Sequence, residues 1–259
     1  CCEPRWTITQ SGYQPHQNIT YETLFALANG HMSVRGSLEE GAHREQPGAF
    51  IAGVFDASDG STKNLVRIPD WLGLRFSIGK TQLSPTESTV VEFEQCLDMR
   101  NGLLLRRRVY RDGQGRETLV EGYRFLSMSH PHRAGTVVYV TALNWDGVLS
   151  VESTINGDVV NYRDPTAPLS ILEEVGGEQT VRHLDVREAG FADDSGAAYL
   201  EAVTRDRGIR IGVSSLLEVA EAEADREHAS RRSVGSTDTT VSERREIELG
   251  AGRSCRIGR

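Results

Sequence analysis

Through most of this chain apolar residues recur at every second position, and turn dipeptides break the pattern at short intervals. A period of two sends alternate side chains to opposite faces of a strand, so such segments must pair into sheets that bury one face. In RAGTVVYVTALNWDGVLSVESTINGDVV, Val138, Val140 and Ala142 keep the beat, Asp146-Gly147 turns, and Leu149, Val151 and Ser153 resume it. Asn156-Gly157 then predicts a tight hairpin, since both residues tolerate positive φ. Asn101-Gly102 and the run Asp112-Gly113-Gln114-Gly115 bracket a strand with Leu103, Leu105, Arg107 and Val109 on one face. Its partner carries Thr118, Val120, Gly122, Arg124 and Leu126, and Asp206-Arg207-Gly208 joins a further pair. Turns spaced by roughly 8–12 residues predict one large antiparallel sandwich spanning residues 1–259, not a βαβ fold.

Helix is expected in few places. Residues 20–29 form the clearest helical stretch, ended by Asn29-Gly30, with Leu24, Phe25 and Leu27 as its anchors. Residues 215–232 have good helix formers, although the first half reads equally as a strand and the second as a solvated loop. Residues 161–180, with their prolines and paired glycines, read as a long surface connection. At the end, REIELGAGRSCRIGR reads as a hairpin cut in its second strand, or as a frayed terminus. The start at Cys1 without a methionine points the same way, to a trimmed chain.

A net charge of −8 argues against a nucleic-acid partner, whose phosphates it would repel. No apolar run approaches the ~20 residues that span a bilayer, and the first residues lack the apolar core of a signal peptide. Four cysteines, Cys1, Cys2, Cys96 and Cys255, form no CxxC pair. Reduced thiols in a cytoplasmic protein are the expectation; a Cys96–Cys255 disulfide is the alternative.

No self-contained catalytic constellation emerges. His130-Pro131-His132 has a metal-like spacing, but the proline makes it a turn. The Gly-rich run at 112–116 precedes no helix and reads as a hairpin, not a phosphate loop. Glu39-Glu40, Glu173-Glu174 and Asp193-Asp194 are adjacent pairs, which a strand would send to opposite faces, so they read as solvated charges. There is no GxSxG elbow. Trp71, in RIPDWLGLRFSIG, sits at a strand start where an indole can stack on a sugar face; a core position is the alternative.

Residues 21–40, YETLFALANGHMSVRGSLEE, resemble the N-terminal signature of glycoside hydrolase family 65. Glu22, Thr23, Leu24, Phe25, Leu27, Asn29, Gly30, Arg35, Gly36, Glu39 and Glu40 fit it, while Ser33 replaces the usual glycine. GAFIAGVFD (48–56), LVRIPDWLGLRFSIG (65–79) and residues 95–132 are similar to further family stretches, in order. The resemblance implies an all-β, galactose mutarotase-like super-β-sandwich with one short helix near residues 20–29, followed in the family by a catalytic (α/α)6 barrel absent from this chain. It implies no catalytic residue and no cofactor here; in that family inorganic phosphate is the co-substrate when the enzyme is a phosphorylase, and an α-glucoside disaccharide is the substrate. Arg35, Glu39 and Glu40 are then expected to order a loop near the barrel or a second subunit of a homodimer, and Trp71 to contact carbohydrate. The competing readings are an inert enzyme fragment, a stand-alone sugar-binding module, and a purely structural docking domain.

Overall fold

The computed structural model describes residues 4–57, 63–162, 180–221 and 230–259, and the sandwich is built almost wholly from antiparallel strands. One sheet has seven strands: β1 (Thr7–Ser11), β8 (Thr89–Asp98), β9 (Leu103–Arg111), β10 (Glu117–Leu126), β11 (Ala134–Ala142), β21 (Ser254–Gly258) and β18 (Glu218–Glu221), in that order. The facing sheet has five: β19 (Ser230–Ser236), β20 (Thr240–Leu249), β12 (Gly147–Asn156), β6 (Leu74–Ile78) and β7 (Thr81–Gln82). Three smaller sheets close one end. They are β2 (Leu27–Ala28) through β5 (Asn64–Arg67), with β3 at Met32–Val34 and β4 at Ala49–Asp56; β15 (Leu184–Phe191), β16 (Ala198–Thr204) and β17 (Arg210–Ser215); and the pair β13 (Asn161–Tyr162) and β14 (Thr180–Val181).

The alternation of the sequence becomes two cores. Between the large sheets, Leu74, Phe76, Leu149, Val151 and Ile247 of the five-stranded sheet meet Tyr110, Val120, Val138, Val140 and Ile257 of the seven-stranded one. At the other end Phe25, Val34, Val66, Leu104, Leu200 and Ile211 pack the small sheets against the large ones. Each fully buried side chain of this kind contributes roughly 1.5–3 kcal/mol of transfer free energy. Trp145 belongs to the first core and donates its indole N–H to Glu117 O and Thr118 Oγ1 at 3.1 and 3.0 Å.

Several local expectations need correction. The helix α1 spans Asn18–Leu24, ending before Asn29-Gly30; β2 occupies Leu27–Ala28, and Gly30, at φ 86°, turns β2 into β3. Leu24 is exposed while Phe25 and Leu27 are buried. Asn156-Gly157 is no hairpin, because β12 is flanked by β20 and β6, and Gly157 lies where a Cβ would strike Val186. The final segment is no hairpin either: β20 pairs in the five-stranded sheet and β21 in the other, so the Gly250–Arg253 turn carries the chain across the sandwich. Of the 215–232 helix, residues 218–221 and 230–236 are strands, and 222–229 lie outside the described residues. Most of the 161–180 connection lies outside them as well. Cys96 and Cys255 form no disulfide with each other, and burial pushes the Cys255 thiol up to about 12.

On β9 the buried face carries Leu104, Arg106, Arg108 and Tyr110, the opposite set from Leu103, Leu105, Arg107 and Val109, although Val109 is buried as well. This face meets Gly122 of β10, which lies opposite both Arg106 and Val138. A Cβ on Gly122 would fall 2.0 Å from the backbone oxygen of Val137. Gly122→Ala should therefore lower the unfolding free energy by about 3 kcal/mol or more. Gly113→Ala, in the open β9–β10 turn where a Cβ meets nothing within 4 Å, is the control and should shift it little. Equilibrium denaturation of both variants checks this; equal stabilities would contradict it.

Candidate functional site: a buried charge cluster and the cleft beside it

Residues 18–40 fold back on themselves before crossing the sandwich. The backbone N–H of Gly36 donates to Glu22 O at 2.7 Å, which brings it against the end of α1. A Cβ there would lie 2.6 Å from Phe25 Cβ and 2.8 Å from Phe25 O, so only glycine permits the approach. Arg35 donates to Ile19 O at 3.1 Å and reaches Glu22 Oε2 at 3.4 Å. Glu22, itself buried, also accepts the backbone N–H of Gln46 at 2.9 Å. Burial raises its carboxyl pKa despite that bond and the nearby Arg35 guanidinium.

Past Gly36 the chain runs between the two large sheets as a strap. On one side Glu39 O accepts from Leu74 N at 2.9 Å, and Glu40 O accepts from Gln82 Nε2 at 2.7 Å. On the other side three arginines of the seven-stranded sheet converge on the strap. Arg106 donates to Glu39 Oε1 at 2.8 Å and to Gly36 O at 2.6 Å. Arg124 donates to the same Glu39 oxygen at 2.6 Å and to Ser37 O at 3.2 Å. Arg108 bridges Glu39 Oε2 and Glu40 Oε2, each at 3.1 Å, and Tyr110 Oη donates to Glu40 Oε1. Side-chain exposure is 4% for Glu39, 0% for Glu40 and at most 2% for the arginines, so water screens none of these contacts.

The adjacent glutamates are thus enclosed, not solvated. Off a regular strand they need not point to opposite faces, and both side chains turn toward the arginines. Burial opposes ionisation of Glu39, but Arg106, Arg124 and Arg108 outweigh it and hold the carboxyl well below its ordinary range. Glu40 goes the other way: burial and the neighbouring Glu39 charge raise it, against the pull of Arg108. Burial also lowers Arg106 to about 10 and raises Tyr110 well above its ordinary value. Three cations face two carboxylates, and strap carbonyls accept from the extra charge. Each carboxylate oxygen of Glu39 and Glu40 thus accepts at least one hydrogen bond from an arginine or from Tyr110, which ties the strap to the seven-stranded sheet.

A cleft of about 560 Å³ opens at the end of the sandwich, where β3, β4, the β10–β11 hairpin, β17 and β21 meet. Asn29 builds one wall. Its Oδ1 accepts from His31 and Met32 N–H at 3.1 and 2.9 Å, and its Nδ2 donates to Ser127 O at 2.8 Å and Pro131 O at 3.0 Å. That crosslink sets the His31 ring against His132, with centroids 4.0 Å apart. Trp71 lines the same cleft, partly buried, after an isolated bridge between Asp70 and Asn156 rather than at a strand start. Arg259 lies along the floor, donating to Ser215 Oγ, Gly73 O and Thr154 O at 2.8, 2.6 and 2.9 Å.

Among the described residues no three His, Cys, Asp or Glu side chains gather as a metal site, and the His130–His132 segment is the exposed β10–β11 turn. Asp193 and Asp194 lie in the exposed turn between β15 and β16, and Glu173-Glu174 lies outside the described residues. Sequence reasoning selected Arg35, Glu39, Glu40 and Trp71. It missed Arg106, Arg108 and Arg124, although three consecutive arginines on a strand must send at least one inward.

A family model described as "Glycosyl hydrolase family 65, N-terminal domain" matches residues 8–259. A kojibiose phosphorylase of Thermoanaerobacter brockii is 38% identical over 213 residues, covering 82% of this chain and 26% of that protein. A kojibiose phosphorylase of Caldanaerobacter subterraneus subsp. tengcongensis is 38% identical over 217 residues, covering 84% and 27%. A solved structure described as "Putative kojibiose phosphorylase from human microbiome" superposes with a TM-score of 0.78 at 14% identity, covering 99% of this chain and 32% of that one. The chain therefore spans about a quarter of the length of these two curated relatives. It belongs to glycoside hydrolase family 65, and residues 8–259 are the family's N-terminal domain.

Glu39→Gln removes the negative charge shared by three buried guanidiniums and turns one acceptor oxygen into a donor, and should cost about 3–5 kcal/mol of stability by denaturant unfolding. Glu45, which accepts from Ala42 N at 2.8 Å, is raised from 4.5 to about 7 by burial and then by the charges of Glu22 and Asp70, against Arg75. The folded state thus favours its protonated form, whose contribution is complete below about pH 4.5 and lost as pH rises through 7. Melting temperature should fall across that window, and Glu45→Gln should flatten the fall; an unchanged profile would contradict the assignment.

Proposed function

We propose that this chain is the non-catalytic sandwich of an inverting α-glucoside phosphorylase, serving to hold and dock a C-terminal (α/α)6 barrel. The single observation that carries the reading is the strap of residues 35–40, fixed by buried ion pairs while every carboxylate in it is engaged by arginine or tyrosine. A fold that spends two buried glutamates on positioning a segment is building a rigid support, not an active site. Family membership and the kinship with two kojibiose phosphorylases supply the reaction class. In the whole enzyme a phosphate oxygen attacks the anomeric carbon, the glycosidic C–O bond breaks, and a barrel carboxylic acid protonates the departing sugar. Inorganic phosphate is then co-substrate and an α-linked glucose disaccharide the substrate. Arg35, Glu39 and Glu40 act in this reading by ordering the face presented to the barrel or to a second subunit, and a cytoplasmic setting belongs to the same reading.

Residues 1–259 alone should release no glucose 1-phosphate from kojibiose, maltose or trehalose in phosphate buffer, whereas the full-length polypeptide that carries them should. In that polypeptide Glu39→Gln should reduce recovery of assembled enzyme more than kcat of the assembled fraction. Turnover by residues 1–259 alone would overturn the reading.

A further inference from the structure

Beyond the carbohydrate contact expected of Trp71, the cleft beside the strap has no part in the docking role above, and its chemistry is specific. Trp71 and Phe125 supply aromatic surface, both partly exposed. The His31 and His132 imidazoles, in contact with their planes inclined at 58°, together with Ser214 and Glu218 supply donors and acceptors on the other walls. The space at the centre is kept open by glycine: a Cβ on Gly212 would meet no atom within 4 Å. Gly212 lies on β17, the edge strand of its sheet, so half of that strand's amide groups face away from β16, and residues 212–215 line the cleft. The volume falls in the range of about 300–1,000 Å³ that encloses a ligand of disaccharide size.

These features discriminate among ligand classes. A purely apolar ligand would strand the histidines, the serine and the edge amides without partners. An anion would meet the carboxylate of Glu218 as well as the guanidiniums of Arg256 and Arg259, and Arg259 already donates to Ser215 Oγ, Gly73 O and Thr154 O, so inorganic phosphate is the competing ligand in the test below. A neutral pyranose suits all of them, because its hydroxyls both donate and accept while its C–H face packs on an indole. We propose that this cleft is a binding site for a neutral pyranose saccharide, with Trp71 as the stacking platform and His31, His132 and the β17 edge as the hydroxyl partners. The choice of an α-linked glucose disaccharide as the probe rests on the family reading above; the site itself rests on the cleft.

The test is titration of residues 1–259 with kojibiose and maltose in phosphate-free buffer, read by calorimetry and by intrinsic tryptophan fluorescence. Saturable heat with a fluorescence change is expected, with a Kd in the millimolar range. Trp71→Ala should weaken binding at least about tenfold. Gly212→Phe, which fills the cleft while leaving each of its polar groups in place, should do the same; its backbone φ is not positive, so the variant is expected to fold. Circular dichroism and thermal melts verify both variants, and Gly212→Phe decides the matter if Trp71→Ala unfolds. Three results would each overturn the proposal: no saturable signal at about 50 mM sugar, binding unchanged in Gly212→Phe, or saturation by inorganic phosphate instead of sugar. Because no turnover is measured, failure here leaves the phosphorylase reading standing, and failure of that reading leaves this site standing.

Discussion

Two carboxylates and three guanidiniums share the interior between the large sheets, and the rest of the structure is arranged around keeping them paired. Isolated charges in that position would be removed from water at a cost of several kcal/mol each. Glu39 offsets it by accepting from Arg106, Arg108 and Arg124, drawn from two neighbouring strands. The geometry this demands reaches outward. Gly36 brings the strap against Phe25, and Leu74 N donates to the Glu39 carbonyl from the facing sheet. The strap is therefore a polar seam between two sheets that otherwise share an apolar core, with Arg259 making a second polar crossing to Gly73 O and Thr154 O. Hydrophobic burial is non-directional and tolerates sliding, whereas these ion pairs accept one placement of residues 35–40.

Much of the fold was legible from the sequence. The beat of Val138, Val140 and Ala142, and of Leu149, Val151 and Ser153, gave the inward faces of β11 and β12 correctly, because apolar alternation and burial coincide there. The Asn101-Gly102, Asp112–Gly115 and Asp206–Gly208 turns were also legible, since their chemistry is local; Gly102, Gly115 and Gly208 all adopt positive φ. Where local chemistry and tertiary pairing part company, the sequence misled. Asn156-Gly157 has the composition of a hairpin, yet both edges of β12 already have partners. The GAGR turn near residue 252 looks like another, yet its strands belong to different sheets.

The candidate site was the least legible part, for a physical reason. Period-two alternation places Leu103, Leu105, Arg107 and Val109 on one face of β9 without telling which face is inward, and of these Val109 alone is buried. The rest of the buried set is Leu104, Arg106, Arg108 and Tyr110, and its polar members pair with carboxylates some seventy positions earlier. No local pattern encodes a partner at that distance. The family resemblance pointed to Arg35, Glu39 and Glu40 without their partners. Trp71 was chosen for its ring, and the structure sets that ring beside two histidines from separate segments, brought together by Asn29.

The central claim is that Glu39 and the arginines act as one unit that fixes the strap between the sheets. A double-mutant cycle measures it directly: Glu39→Gln, Arg106→Gln and the pair, each unfolded in urea at neutral pH and low salt. The account predicts a coupling energy of about 2 kcal/mol or more. A coupling below about 0.5 kcal/mol, with the two losses simply additive, would contradict it.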